Sequence, residues 1–238
     1  MFFFILTHAN LFSLDIKYLR ACFEFTGGYA GIAMTSWNKV RKEFVGEKEL
    51  EGFYSEYKEV SNAGTFNINL VNIMKTKWGI FGINIRYDYL SIINSNLKLY
   101  FDPEKTKIYV RESSVLRASY FGLGLRYYLF NSDNNHWLDV YVGVDEGLFF
   151  NWGNVGITYK DIIGNVSSHT NDKFNAISEP FWGGDYELGI NLFLKELVGV
   201  TIKTGYRVAE GWVSGAGTYY IVDYSGFYIK GGVLINII

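Results

Sequence analysis

Residues able to do covalent chemistry are few. Val166-Ser167-Ser168-His169-Thr170 sets hydroxyl nucleophiles beside an imidazole base. Nucleophilic catalysis also needs the base within hydrogen-bond reach and a third group to orient it. Adjacency along a chain supplies neither, and no Gly-x-Ser-x-Gly elbow accompanies these residues. They read as a solvated loop, with a lipid acyltransferase or deacylase as the minor enzymatic alternative. Of the other histidines, His8 lies in the apolar N-terminus and His136 flanks a short turn. Cys22 is the single cysteine, which excludes an intramolecular disulfide and a thiolate metal cluster. Leu19-Arg20-Ala21-Cys22 loosely resembles a lipidation box, but Arg20, Asp15 and Lys17 argue against that use. Asp102-Pro103-Glu104 reads as a turn, not a calcium loop. No catalytic residue, metal or cofactor is expected.

The ionisable residues that stand out belong to a pattern. Glu24, Asp88, Asp139, Asp145, Asp185 and Glu187 alternate with apolar neighbours, as do Arg86, Arg126, Lys203, Arg207 and Lys230. In segment 185–194, Tyr186, Leu188, Ile190, Leu192 and Leu194 take one face and Asp185, Glu187, Gly189 and Asn191 the other. The period is two, so the segment is a strand with one apolar and one polar, Gly-rich face. The same reading covers 23–34, 78–90, 117–130, 138–148, 198–208 and 227–237. Segment 64–74 is weaker, because Val71 breaks the phase after Phe66, Ile68 and Leu70. Glu146 alone spoils the apolar face of 138–148. That makes eight strands. An extra hairpin over Leu97 to Val110 leaves ten open.

The connections alternate in length. Short ones lie near 75–77, 131–136 and 195–197, and long ones at 35–63, 91–115, 151–180 and 212–224. Short turns at one rim and long loops at the other are expected of an up-and-down barrel spanning a bacterial outer membrane. Both prolines, Pro103 and Pro180, fall in long connections, where they cost no ladder hydrogen bond.

Alternation does not say which face is buried, because a soluble lipocalin-like barrel has the opposite phase. Three features favour the membrane solution. Trp37, Trp78, Trp137, Trp152, Trp182 and Trp212 all lie at or beyond predicted strand ends, as two interfacial girdles require. Leu138 to Leu148 is a stretch of about eleven residues, enough to cross hydrocarbon at a tilt. The polar face nearly balances acids against bases, as the filled interior of a narrow barrel demands. The predicted ion-pair network comprises Glu24, Arg86, Asp88, Arg126, Asp139, Asp145, Asp185, Glu187, Lys203, Arg207 and Lys230.

The whole chain sets the outer limits. Its 238 residues suit one domain, and its net charge of −2 offers nucleic acid no electrostatic partner. Aromatic residues make up 18 %, and 26 glycines argue against a helical bundle. Residues 1–14 read as the tail of a signal peptide without its basic start, or as a disordered apolar terminus. Residues 15–238 read as the barrel with long extracellular loops. The first loop mixes charges from Lys39 to Glu59 with Phe44, Phe53, Tyr54 and Tyr57. It reads as a solvated loop or, more sharply, as a protein-binding surface.

These segments together resemble the small eight-stranded outer-membrane barrels typified by the OmpA transmembrane domain and OmpX. The likeness covers roughly 22–238 and rests on pattern. The richness in Asn, Lys, Ile, Tyr and Phe is similar to that of spirochaetal members. The ending Ile235-Asn236-Ile237-Ile238 departs from the terminal aromatic that the barrel assembly machinery reads in such proteins. The resemblance implies an anchor in outer-membrane lipid whose surface loops serve adhesion, binding of a host or extracellular protein, or structure. A narrow pore and a lipid-modifying enzyme are the alternatives.

Overall fold

A computed structural model describes residues 17–93, 96–131, 137–161, 163, 165–175, 180–194, 197–215 and 218–237. The expectations for residues 1–14 and His136 lie outside them. Eight long strands form the ring: β1 (Lys17–Gly31), β3 (Asn62–Thr76), β4 (Gly79–Ile93), β6 (Ile108–Asn131), β7 (Leu138–Lys160), β9 (Phe181–Phe193), β10 (Val198–Gly215) and β12 (Gly226–Ile237). Each pairs antiparallel with the next, and β12 returns to β1 through a ladder from Ala21↔Ile237 to Ala30↔Tyr228. Closure removes the sheet edges that would otherwise expose unpaired backbone to lipid.

The phase is apolar outward and polar inward. Phe121, Leu123, Leu125, Tyr127 and Leu129 are exposed on β6, and Tyr186, Leu188, Ile190 and Leu192 on β9. Asn69, Asp88, Arg126 and Glu187 are buried. A large unpartnered apolar surface wrapped around a charged interior suits a hydrocarbon solvent, not water. Segment 64–74 keeps its phase after all: Val71 and Ile73 point inward into an apolar layer, so the apparent break is a change of interior chemistry.

The long connections are more ordered than expected. The 35–63 segment, predicted as a loop, contains a helix, α1 (Thr35–Leu50), and a strand, β2 (Tyr54–Lys58). Trp37, Arg41, Phe44, Val45 and Lys48 recur at helical spacing, a signal submerged among charges that are themselves good helix formers. The helix closes on Gly52, at φ +92°. There Phe53 N–H donates to Lys48 O at 3.1 Å and Gly52 N–H to Glu49 O at 3.0 Å, a Schellman arrangement. Three further strands, β5 (Asn96–Tyr100), β8 (Val166–Asn175) and β11 (Thr218–Asp223), pair with β6, β7 and β10. The extra hairpin therefore does not widen the ring, which has eight staves. Beyond the ring, β2, β5, upper β6, upper β7 and β8 form a five-stranded sheet with α1 packed on one face.

Candidate functional site: the sealed interior and the lobe above it

The interior is built in three layers. At the short-turn end, Cys22, Val71, Ile73, Tyr128 and Tyr141 make a small apolar floor. At the other end, Ile32, Met34, Trp37, Leu90, Leu116, Phe149 and Tyr224 make an apolar lid under α1. Between them lie the charges.

Each charged residue in the middle layer touches the opposite sign. Arg126 grips both Glu24 oxygens and donates to Glu187 Oε1 at 3.0 Å. Lys203 Nζ donates to Glu24 Oε2 at 3.2 Å and to Asn67 Oδ1 at 2.9 Å. Arg86 joins Asp88 at 2.9 Å and Asp145 at 3.0 Å, and also reaches Asp185. Arg207 donates to both Asp185 oxygens at 2.8 and 2.9 Å and contacts Asp88. Lys230 Nζ donates to Asp88 Oδ2 at 2.6 Å. Asp139 pairs with Arg20.

Arg20 is the member that sequence reasoning missed. Carrying the inward even-numbered phase of β1 two residues back from Cys22 would have found it. It lay hidden beside the irregular terminus, where a register shift falls between Tyr18 and Arg20. With it, six carboxylates (Glu24, Asp88, Asp139, Asp145, Asp185, Glu187) face six cations (Arg20, Arg86, Arg126, Lys203, Arg207, Lys230) among the described residues. Burying ions costs several kcal/mol each unless pairing and hydrogen bonds compensate, and the ladder of pairs supplies that compensation.

The glycines opposite these charges make room mainly for tyrosines. A Cβ on Gly189 would stand 2.2 Å from the Tyr141 ring, and one on Gly205 would stand 2.6 Å from the Tyr228 hydroxyl. Both phenols then donate to Glu187, at 3.0 and 3.2 Å.

The tryptophans divide. Trp78 and Trp137 are exposed at the short-turn rim, and Trp182 and Trp212 at the lobe rim. Trp152 is half-buried beside Tyr89. Trp37 is not in a girdle. It is 2 % exposed beneath α1, with the Arg41 guanidinium 3.7 Å from its ring centre. Helical geometry turns it inward, which a strand-end reading could not foresee.

The aromatics of the candidate binding loop are also mostly internal. Phe44 and Tyr57 pack on Val45, Leu97, Leu99 and Val110. Phe53 stacks on Tyr109 at 4.6 Å, and only Tyr54 is exposed. They hold the lobe together. Arg41 Nε donates to both Glu112 oxygens at 3.0 Å, tying α1 to β6. Asn38 and Val60 exchange hydrogen bonds at 2.8 and 2.9 Å. Burial and a hydrogen bond to Glu56 push the Tyr100 phenol up to about 12, and the same bond from Tyr100 holds the Glu56 carboxyl below its usual value.

The lobe sheet turns its other face outward. Glu56, Lys98, Arg111, Thr158 and His169 lie in one row across five strands through direct cross-strand pairing. Arg111 and His169 are exposed there, and Arg117 extends the basic set toward the membrane. His169 Nδ1 pairs with Thr158 Oγ1 at 2.9 Å. Ser168, its neighbour on β8, alternates to the other face, and Ser167 falls at the register shift between Tyr159 and Lys160 of β7.

No family model matches the chain, and no curated protein does. Among solved structures, the outer membrane protein OprG from Pseudomonas aeruginosa superposes with a TM-score of 0.51 at 14 % identity, over 92 % of this chain and 96 % of that one. The fold is that of the small eight-stranded outer-membrane barrels. Neisserial surface protein A gives a TM-score of 0.45 at 10 % identity, over 93 % of this chain and 99 % of that one. Ail, the attachment invasion locus protein of Yersinia pestis, gives 0.37 at 8 %, over 91 % and 100 %.

Proposed function

We propose that this barrel anchors a folded binding lobe at the cell surface, and that the lobe, not the barrel interior, meets the partner. One observation carries the reading. The long connections on one rim are folded into a helix-on-sheet unit, whose open face sets Lys98, Arg111 and Arg117 outward. A rigid, desolvated scaffold lowers the ordering cost of binding. Lys98, which also meets Glu56 at 3.5 Å, joins Arg111 and Arg117 in a cationic set at loop height that favours an anionic partner, such as an acidic protein or a sulfated polymer, and speeds its encounter. The charged interior has a structural role in this reading, because its buried charges lie against charges of opposite sign.

The test uses the protein in nanodiscs and dextran sulfate as the probe. Wild type should bind it in a salt-sensitive manner, and the triple variant Lys98→Glu/Arg111→Glu/Arg117→Glu should lose most binding while keeping its folded gel mobility. Equal binding by both proteins would remove the lobe face from consideration.

A further inference from the structure

Glu146 faces outward on β7, where its neighbours Val144 and Leu148 face hydrocarbon, and Glu210 faces outward on β10 near the lobe rim. Ionised residues at lipid-facing positions are costly and therefore uncommon. The wall beside them is concave. Gly184 stands between Glu146 on β7 and Val208 on β10 and puts no side chain on the surface. The hollow has a volume of about 540 Å³ and is walled by Val144, Trp182, Tyr186 and Val208. A second hollow of about 410 Å³ continues from Tyr186 along Leu188, Thr204, Tyr206 and Phe227. The two share Tyr186, so one groove runs down the outside of the barrel from the carboxylates toward the membrane centre.

We infer that this groove binds a single amine-bearing lipid, with its ammonium headgroup at Glu146 and Glu210 and an acyl chain along Tyr186, Leu188 and Tyr206. The apolar walls suit a hydrocarbon chain. The headgroup is selected by charge. Neither hollow has a basic side chain in its lining, and no ion pair engages either glutamate among the described residues. A cation from the ligand would offset the cost of holding carboxylates there. Trp182 places the head end at interfacial height, where a lipid headgroup belongs.

The experiment places the full chain in phosphatidylcholine nanodiscs doped equally with dioleoyl phosphatidylethanolamine and dioleoyl phosphatidylglycerol. Lipids retained after mild detergent release are counted by native mass spectrometry. Wild type should keep one phosphatidylethanolamine several-fold more often than phosphatidylglycerol. Glu146→Gln/Glu210→Gln should erase that preference, and Val208→Trp, which fills the groove, should lower retention of both lipids. All three positions lie on the outer surface, and boiling-dependent gel mobility verifies folding of each variant. Equal retention of the two lipids by wild type, or an undiminished preference in the double variant, would overturn the proposal.

Discussion

Arg126 shows how single residues hold this interior. Its guanidinium serves Glu24 and Glu187 at once and lies 4.2 Å from the Tyr141 ring centre. Its planar fork presents several donors in fixed directions, which a lysine could not do. Removing it leaves Lys203 as the cation that still touches both carboxylates. Breaking a buried ionic network by deleting one partner typically costs about 3–5 kcal/mol. Arg126→Ala should therefore lower the urea midpoint of the micelle-bound barrel by that order, read by loss of the heat-modifiable band. A midpoint equal to wild type would mean that water reaches this layer and replaces the guanidinium.

At the scale of elements, α1 makes the largest difference between a bare barrel and this molecule. It is anchored at both ends. Met34 N–H donates to Asp223 O at 3.0 Å, and the Gly52 turn completes its carbonyls at the other end. Gly52 has a positive φ, which costs an alanine about 1 kcal/mol or more. Gly52→Ala should loosen the helix by that amount while the ring stays intact. Amide exchange would then accelerate in 35–50 with no change in β9 or β12. Uniform acceleration would show that lobe and barrel unfold as one unit.

For the whole molecule, an apolar floor, a layer of paired charges and an apolar lid fill the ring among the described residues, as expected where eight strands enclose only side chains. The purified protein should be silent in planar bilayers, and steady single-channel openings would contradict that closure. The lobe lies at one end of the ring and the apolar belt around its middle. Lobe and lipid groove can then act independently.

Much of this was legible in the sequence, because a strand's period is two and each face meets one solvent. Tyr186 to Leu194 and Asp185 to Asn191 announce which residues share a face, and tryptophan placement, strand length and near-balance of charge together favour the charged face as the sealed one. Glu146 stood out for the same reason, as a carboxylate out of phase with its strand. Only the tertiary structure decided what depends on residues far apart in the chain. Arg20 finds Asp139 because closure brings β1 and β7 to opposite walls of one narrow space. Trp37 leaves the girdle because α1 folds over the mouth and buries it. Residues 35–63 hid their helix because its apolar face is complete only against Leu97, Leu99 and Val110, which other strands supply. Local periodicity reports the face of an element. What that face meets is set by long-range packing, and short-range patterns carry no record of it.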